Sequence, residues 1–190
     1  MKNAVIVPGI GYTTDRSLLY FAGKLAEQTG YQRKIIRFSG FEKGVKGDSA
    51  KMKRAFLHAY DQLTEQLSGF EAGEDIFISK SIGTAVSLKA DIEMGLQARH
   101  ILFTPLMETM ELLKELIRKQ GDDRKGDIIV FHGLSDPWAA DNDAIAEAAK
   151  DCGVSFHEVE AANHSIETGD AIRDVKNLLS VLETCRQFMN

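Results

Sequence analysis

The chain has 190 residues, 44% hydrophobic and 27% charged, which is the make-up of a globular protein with a sizeable core and excludes a disordered or fibrous chain. Its formal net charge of −5, with acidic and basic residues interspersed, leaves no basic footprint for nucleic acid. No apolar run reaches the length of a membrane span, and the two cysteines, Cys152 and Cys185, lie in helix-like patterns that make no disulfide framework, so one cytoplasmic domain over residues 1–190 is expected.

Residues 3–7 form an apolar run too short for a signal peptide and read as a first strand, followed by Pro8-Gly9-Ile10-Gly11-Tyr12. A helical pattern over 16–29 leads to a second strand at 31–38. The glycine- and lysine-containing stretch 39–48 then reads as a mobile surface loop, with phosphate cradling as the alternative. Over 50–68, Met52, Ala55, Phe56, Ala59, Leu63 and Leu67 recur at helical spacing and share one face. The basic residues Lys43, Lys46, Lys51, Lys53 and Arg54 read as a solvated loop and helix face.

Strand-like runs at 75–79, 99–104, 126–131 and 154–159 alternate with helical patterns at 82–97, 109–119, 141–152 and 170–188. Most of the strands are continuous apolar runs, as expected of parallel strands covered on both faces. The alternation predicts an α/β fold of about six mainly parallel strands flanked by helices on both faces.

Ligands of open α/β sheets bind beyond the carboxyl ends of the strands. Three chemically useful residues fall there: Ser81 after the third strand, Asp136 after the fifth and His164 after the sixth. Ser81 stands in Ser79-Lys80-Ser81-Ile82-Gly83, a small-x-Ser-x-Gly step between an apolar run and a helical segment, which presents one hydroxyl on a tight turn. Read singly, Ser81 is a helix N-cap, Asp136 a turn former and His164 a surface histidine; their conjunction at three strand ends is what carries chemistry.

In this order and context the three motifs resemble the α/β-hydrolase family, over nearly the whole chain from Val5 to the last helix. Gly133-Leu134-Ser135-Asp136 and Asn163-His164-Ser165 match what the family places in the acid and base loops. More narrowly, the chain is similar to small, lidless members of the dienelactone-hydrolase-like group. A serine hydroxyl needs a base to accept its proton. His164 serves as that base, Asp136 fixes its tautomer, and the Ile82 N–H is the first oxyanion donor. By carry-over from the family's His-Gly-x loop, Pro8-Gly9-Ile10 makes the Ile10 N–H the second.

Two departures stand at the elbow. Ser79 replaces the usual glycine, and Lys80 beside the nucleophile either favours an anionic substrate or points into solvent. Tyr12, Leu106, Met107, Trp138 and Glu167 lie in or beside loops at the same edge and are candidate pocket residues. The short segment after the fourth strand leaves no room for a cap domain. The expected activity is a serine hydrolase that cleaves a small-molecule carboxylic ester or thioester through an acyl-enzyme on Ser81, with no metal, cofactor, nucleic-acid or membrane partner. Two other readings are a catalytically silent hydrolase-fold binding module and a nucleotide-binding protein. For the latter, Gly9-Ile10-Gly11 lacks the third small residue and the second strand ends without the ribose-binding acid.

Overall fold

A computed structural model describes residues 2–70, 73–139 and 141–190. Six strands, β1 (Lys2–Val7), β2 (Gln32–Ile35), β3 (Glu74–Lys80), β4 (Arg99–Phe103), β5 (Ile128–Gly133) and β6 (Ser155–Val159), form one sheet in the order β2-β1-β3-β4-β5-β6. Every neighbouring pair is parallel, as the apolar runs predict. The helices are α1 (Ser17–Gln28), α2 (Ser49–Gln66), α3 (Ile82–Met94), α4 (Met107–Gln120), α5 (Asn142–Cys152) and α6 (Ala171–Met189).

Side chains alternate across each strand, and the two sheet faces bury separate cores. Ala4, Ile6, Ile76, Ile78, Ile101 and Phe103 meet α1 and α6 on one face. Val5, Val7 and Phe77 meet α2 and α3 on the other, where Leu102 and Val130 continue the layer under α4 and α5. Helix α3 lies over the middle of the sheet and is buried almost all round, from Ile82 to Leu88 and again at Ala90 and Asp91. Aspartates cap three helices: Asp48 accepts from Lys51 N–H, Asp141 from Ala144 N–H and Asp170 from Arg173 N–H. Among the described residues no helix is long and apolar enough to cross a membrane.

The strand order reverses at β1, whose neighbours are β2 on one side and β3 on the other. Such a reversal opens a crevice beyond the carboxyl ends of the two central strands. There α3 comes so close to β1 that a Cβ on Gly83 would sit 2.5 Å from the Pro8 carbonyl oxygen.

Several boundaries differ from the sequence reading, among them the end of the third helix, which stops at Met94 and not at 97. The second strand stops at Ile35 because α2 side chains take over its backbone: Gln66 bonds both the N–H and the carbonyl of Arg37, and Gln62 those of Ser39. The fifth strand begins at Ile128, since 122–127 form a 3-10 helix held by Arg124 to Asp127 and Asp91. The fourth helix starts at Met107, directly after the β4 turn. Cys152 and Cys185 are buried free thiols.

Candidate active site

Ser81 links β3 to α3 with φ 55° and ψ −128°. A positive φ on a non-glycine residue is strained by about 1–3 kcal/mol and persists only where its surroundings enforce it. Here they do: the Ser81 N–H donates to the Phe103 carbonyl at 3.0 Å, extending the β3–β4 ladder, while its carbonyl accepts from the Thr84 N–H at 2.9 Å. From the β1 side Gly9 closes in, where a Cβ would lie 3.0 Å from the Ser81 Cβ. Ser79, in the position where glycine is usual, is fully buried, and its hydroxyl accepts from the small Ser87 at 3.1 Å, so α3 leaves room for it.

The Ser81 hydroxyl meets His164 Nε2 at 2.9 Å, and His164 Nδ1 meets Asp136 Oδ2 at 2.6 Å. A carboxylate only accepts, so Nδ1 carries the ring hydrogen and Nε2 is left to accept from the serine. The other Asp136 oxygen accepts from the Trp138 N–H at 2.9 Å, and the Trp138 ring stacks on the imidazole, centroids 5.4 Å apart. Burial pushes the His164 imidazole below its ordinary pKa, with the Asp136 bond working against that and the Lys80 charge adding to it. Burial alone would raise the Asp136 carboxyl; the His164 bond and charge and the Trp138 N–H outweigh it and hold it below the usual range.

The loop carrying His164 is fixed locally. Asn163 Oδ1 accepts from Ser165 N–H at 2.7 Å, and Asn163 N–H donates to the Glu167 carbonyl at 2.8 Å. The loop also lies against the end of β5, where a Cβ on Gly133 would fall 2.4 Å from the Ala162 carbonyl oxygen. Ser135 N–H donates to that same carbonyl at 2.9 Å. Acid and base loops are thus held by one carbonyl and one missing side chain.

Lys80 corrects one sequence expectation. It does not face solvent: it is fully buried and lines neither cavity beside Ser81, and its ammonium donates to the His164 carbonyl and the Thr104 hydroxyl and lies 4.9 Å from the centre of the Tyr12 ring. Burial pushes it down to about 7, although the Asp136 and Glu167 carboxylates favour its charge. Period-2 alternation places Lys80 with Ile76 and Ile78 on the α1/α6 face, a signal that was present in the sequence.

Ser81 opens onto two cavities. One, of about 240 Å³, is lined by His164, Trp138, Ile10 and the 44–46 segment. The other, of about 510 Å³, runs between α2 and α4 along α3. Ile82 and Leu106 border both. As the first residue of α3, Ile82 has no intrahelical acceptor for its N–H, and the positive end of the helix dipole points the same way. Of the other candidate pocket residues, Tyr12 lines neither cavity. It is buried beneath Lys80, its hydroxyl accepting from Leu18 N–H at 3.2 Å, and desolvation raises its pKa. Met107 is partly exposed at the start of α4 and also lines neither.

Sequence reasoning missed the 39–48 loop as a wall of the site. The loop is fastened to α2: Glu42 pairs with Arg54 at 2.7 Å, His58 Nε2 meets the Ser39 carbonyl at 2.8 Å, and Val45 is buried. Its Lys46 ammonium sits 4.2 Å from the centre of the Trp138 ring. The glycines and the apolar Phe41 and Val45 within a basic stretch were the available sign of an anchored loop.

No family model matches the chain, and no curated protein matches it by sequence. Solved structures do match it. An alpha-beta serine hydrolase homologue from Coxiella burnetii aligns over 98% of this chain and 84% of its own, with TM-score 0.69 and 14% identity. Est1E from Butyrivibrio proteoclasticus with bound ferulic acid aligns over 100% and 88%, with TM-score 0.66 and 11% identity. A serine hydrolase without a lid from Xanthomonas campestris aligns over 98% and 80%, with TM-score 0.56 and 12% identity. At such identities the likeness is one of fold: the chain has the α/β-hydrolase fold in its compact form, without a lid.

Proposed function

We propose that the protein is a serine hydrolase that cleaves a small-molecule carboxylic ester or thioester through an acyl-enzyme on Ser81. The observation that carries this reading is the unbroken hydrogen-bond series from the strained Ser81 through His164 to Asp136. Strain of this kind is kept where a site needs it, and here it turns the hydroxyl toward a base. The fold it shares with Est1E and with serine hydrolases supports the same reading.

In this reading Ser81 Oγ attacks the substrate carbonyl carbon as its proton passes to His164 Nε2. His164 is held neutral at pH 7 by burial, and Asp136, held ionised, stabilises the imidazolium that forms. The oxyanion is bound by the N–H groups of Ile82 and Ile10, in a position where one donor typically contributes about 100- to 1,000-fold in turnover. When the tetrahedral intermediate collapses, the bond to the leaving oxygen or sulfur breaks and that atom takes the proton from Nε2. Water, deprotonated by His164, then attacks the acyl carbon; the bond to Ser81 Oγ breaks, Oγ takes the proton back from Nε2, and the acid is released.

The test is covalent labelling with a fluorophosphonate probe, read by intact mass and peptide mapping. One adduct at Ser81, lost in Ser81→Ala and His164→Ala, is expected. A folded wild-type protein that takes no label overturns the proposal and favours the silent binding module.

A further inference from the structure

The two cavities that meet at Ser81 are unequal in size and in chemistry, and the position of the base decides which half of a substrate enters each. In collapse of the tetrahedral intermediate the leaving atom must be within reach of the proton on His164 Nε2. His164 and Trp138 line the 240 Å³ cavity and are absent from the lining of the 510 Å³ one. The leaving group therefore departs into the smaller cavity, and the acyl group extends into the larger.

The larger cavity follows one stripe of α3. Ile82, Ala85 and Lys89 are spaced three and four apart and share a face, with Met52 and Phe56 of α2 opposite and Leu112 of α4 beside them. From Ile82 to Lys89 the helix rises about 10 Å at 1.5 Å per residue. An extended hydrocarbon of about eight carbons covers that length, its bonds of about 1.5 Å advancing in a zigzag.

The far end offers no seat for a charged tail. The Lys89 ammonium is paired with Glu93 and lies 4.9 Å from the centre of the Tyr60 ring. Along the whole channel the charged lining residues are Lys53 and Lys89 against Glu108 and Glu111, so the two signs balance.

Resting on the serine-hydrolase reading above, we propose that the α2/α4 channel is an acyl-binding subsite for an uncharged, medium-chain acyl group, and that the leaving group is small and occupies the space under Trp138 and Lys46. The channel is the specificity-determining part of the site, and Ala85 is its gauge, because a larger side chain there projects into the stripe midway along.

The test is a series of p-nitrophenyl esters from acetate to dodecanoate, below their aggregation limits, with kcat/KM measured for wild type and Ala85→Phe. In wild type kcat/KM is expected to climb at least tenfold from acetate to octanoate and then level. Full burial sets a ceiling of about fourfold per methylene. Ala85→Phe is expected to collapse the octanoate-to-acetate ratio of kcat/KM from at least tenfold to about one. Leu112→Trp narrows the same channel from α4 and serves where the α3 variant does not fold.

A flat or falling profile with chain length, while acetate is turned over in a Ser81-dependent way, overturns the acyl subsite and leaves the hydrolase reading standing. So does a loss on acetate and octanoate in the same ratio in both channel variants. No turnover of any ester together with an unlabelled Ser81 overturns both.

Discussion

Replacing Lys80 by methionine is expected to stabilise the fold at neutral pH and to weaken catalysis. Methionine has similar reach and no charge, and it can occupy the space above Tyr12 that the lysine stem fills. In the unfolded chain the lysine holds its proton up to about 10.5, whereas burial lowers that point to about 7 in the folded one. Between those values the unfolded state binds more protons, so wild-type stability rises with pH across the window and carries the whole penalty below it. At 1.36 kcal/mol per pKa unit the penalty is about 5 kcal/mol.

Against this, the variant leaves the His164 carbonyl and the Thr104 hydroxyl without the ammonium they share, at about 1–3 kcal/mol. The balance is a variant about 3 kcal/mol more stable than wild type near pH 7 and no more stable near pH 10. Parallel urea titrations at pH 7, 8.5 and 10 measure this difference, and comparing the two proteins cancels the other titrating groups. Loss of the donor to the His164 carbonyl loosens the base, and kcat/KM on a short ester is expected to fall about tenfold. A stability difference that stays constant from pH 7 to pH 10 would refute the argument, because the buried lysine would then keep its proton throughout.

Ser81→Gly relieves the strained φ of 55° and is expected to raise the melting temperature by about 2–4 °C while abolishing turnover; an unchanged or lower melting temperature contradicts stored strain at the elbow. Gly133→Ala must push the Ala162 carbonyl from 2.4 Å to at least 3.0 Å from the new Cβ, dragging His164 with it. Its kcat/KM should drop about 10- to 100-fold, whereas Gly126→Ala, which meets nothing within 4 Å, leaves activity unchanged. Equal activity in the two variants would show that β5 does not set the position of the base. Because burial lowers the His164 pKa and the base acts only when neutral, activity should persist into mildly acid solution and decline below pH 6.5. An acid limb centred above 6.5 in the kcat/KM profile argues against this environment for His164.

The sheet and the residues at its carboxyl edge were legible in the sequence for a local reason. Buried parallel strands are continuous apolar runs, and the residues that end them are set by the chain itself. Ser81 directly follows one such run and Asp136 stands one turn beyond another, while His164 follows the mixed edge strand Ser155–Val159, so order along the chain already carried their convergence. What was illegible depends on the third dimension. Alternation puts Lys80 on the face of Ile76 and Ile78, but that its ammonium ends against the His164 carbonyl and Thr104 shows only in the fold. Tyr12 sits in a loop at the right edge, yet its ring turns under the sheet end to meet Leu18 and Lys80. The apolar Phe41 and Val45 hint that the 39–48 loop is anchored, but that it walls the cavity beside Ser81 follows from the contacts of Glu42 and Val45 with α2 and its surroundings.

The partners of the Ser81 hydroxyl are also separated in time. His164 lies 83 residues further along the chain, and its loop is held against the end of a strand that must first take its place in the sheet. A ribosome adding residues at about 5–20 per second places several seconds between the two. Through that interval the Ser81 hydroxyl has no imidazole beside it. Under the hydrolase proposal, the serine becomes reactive only when the far edge of the sheet closes and brings His164 to it.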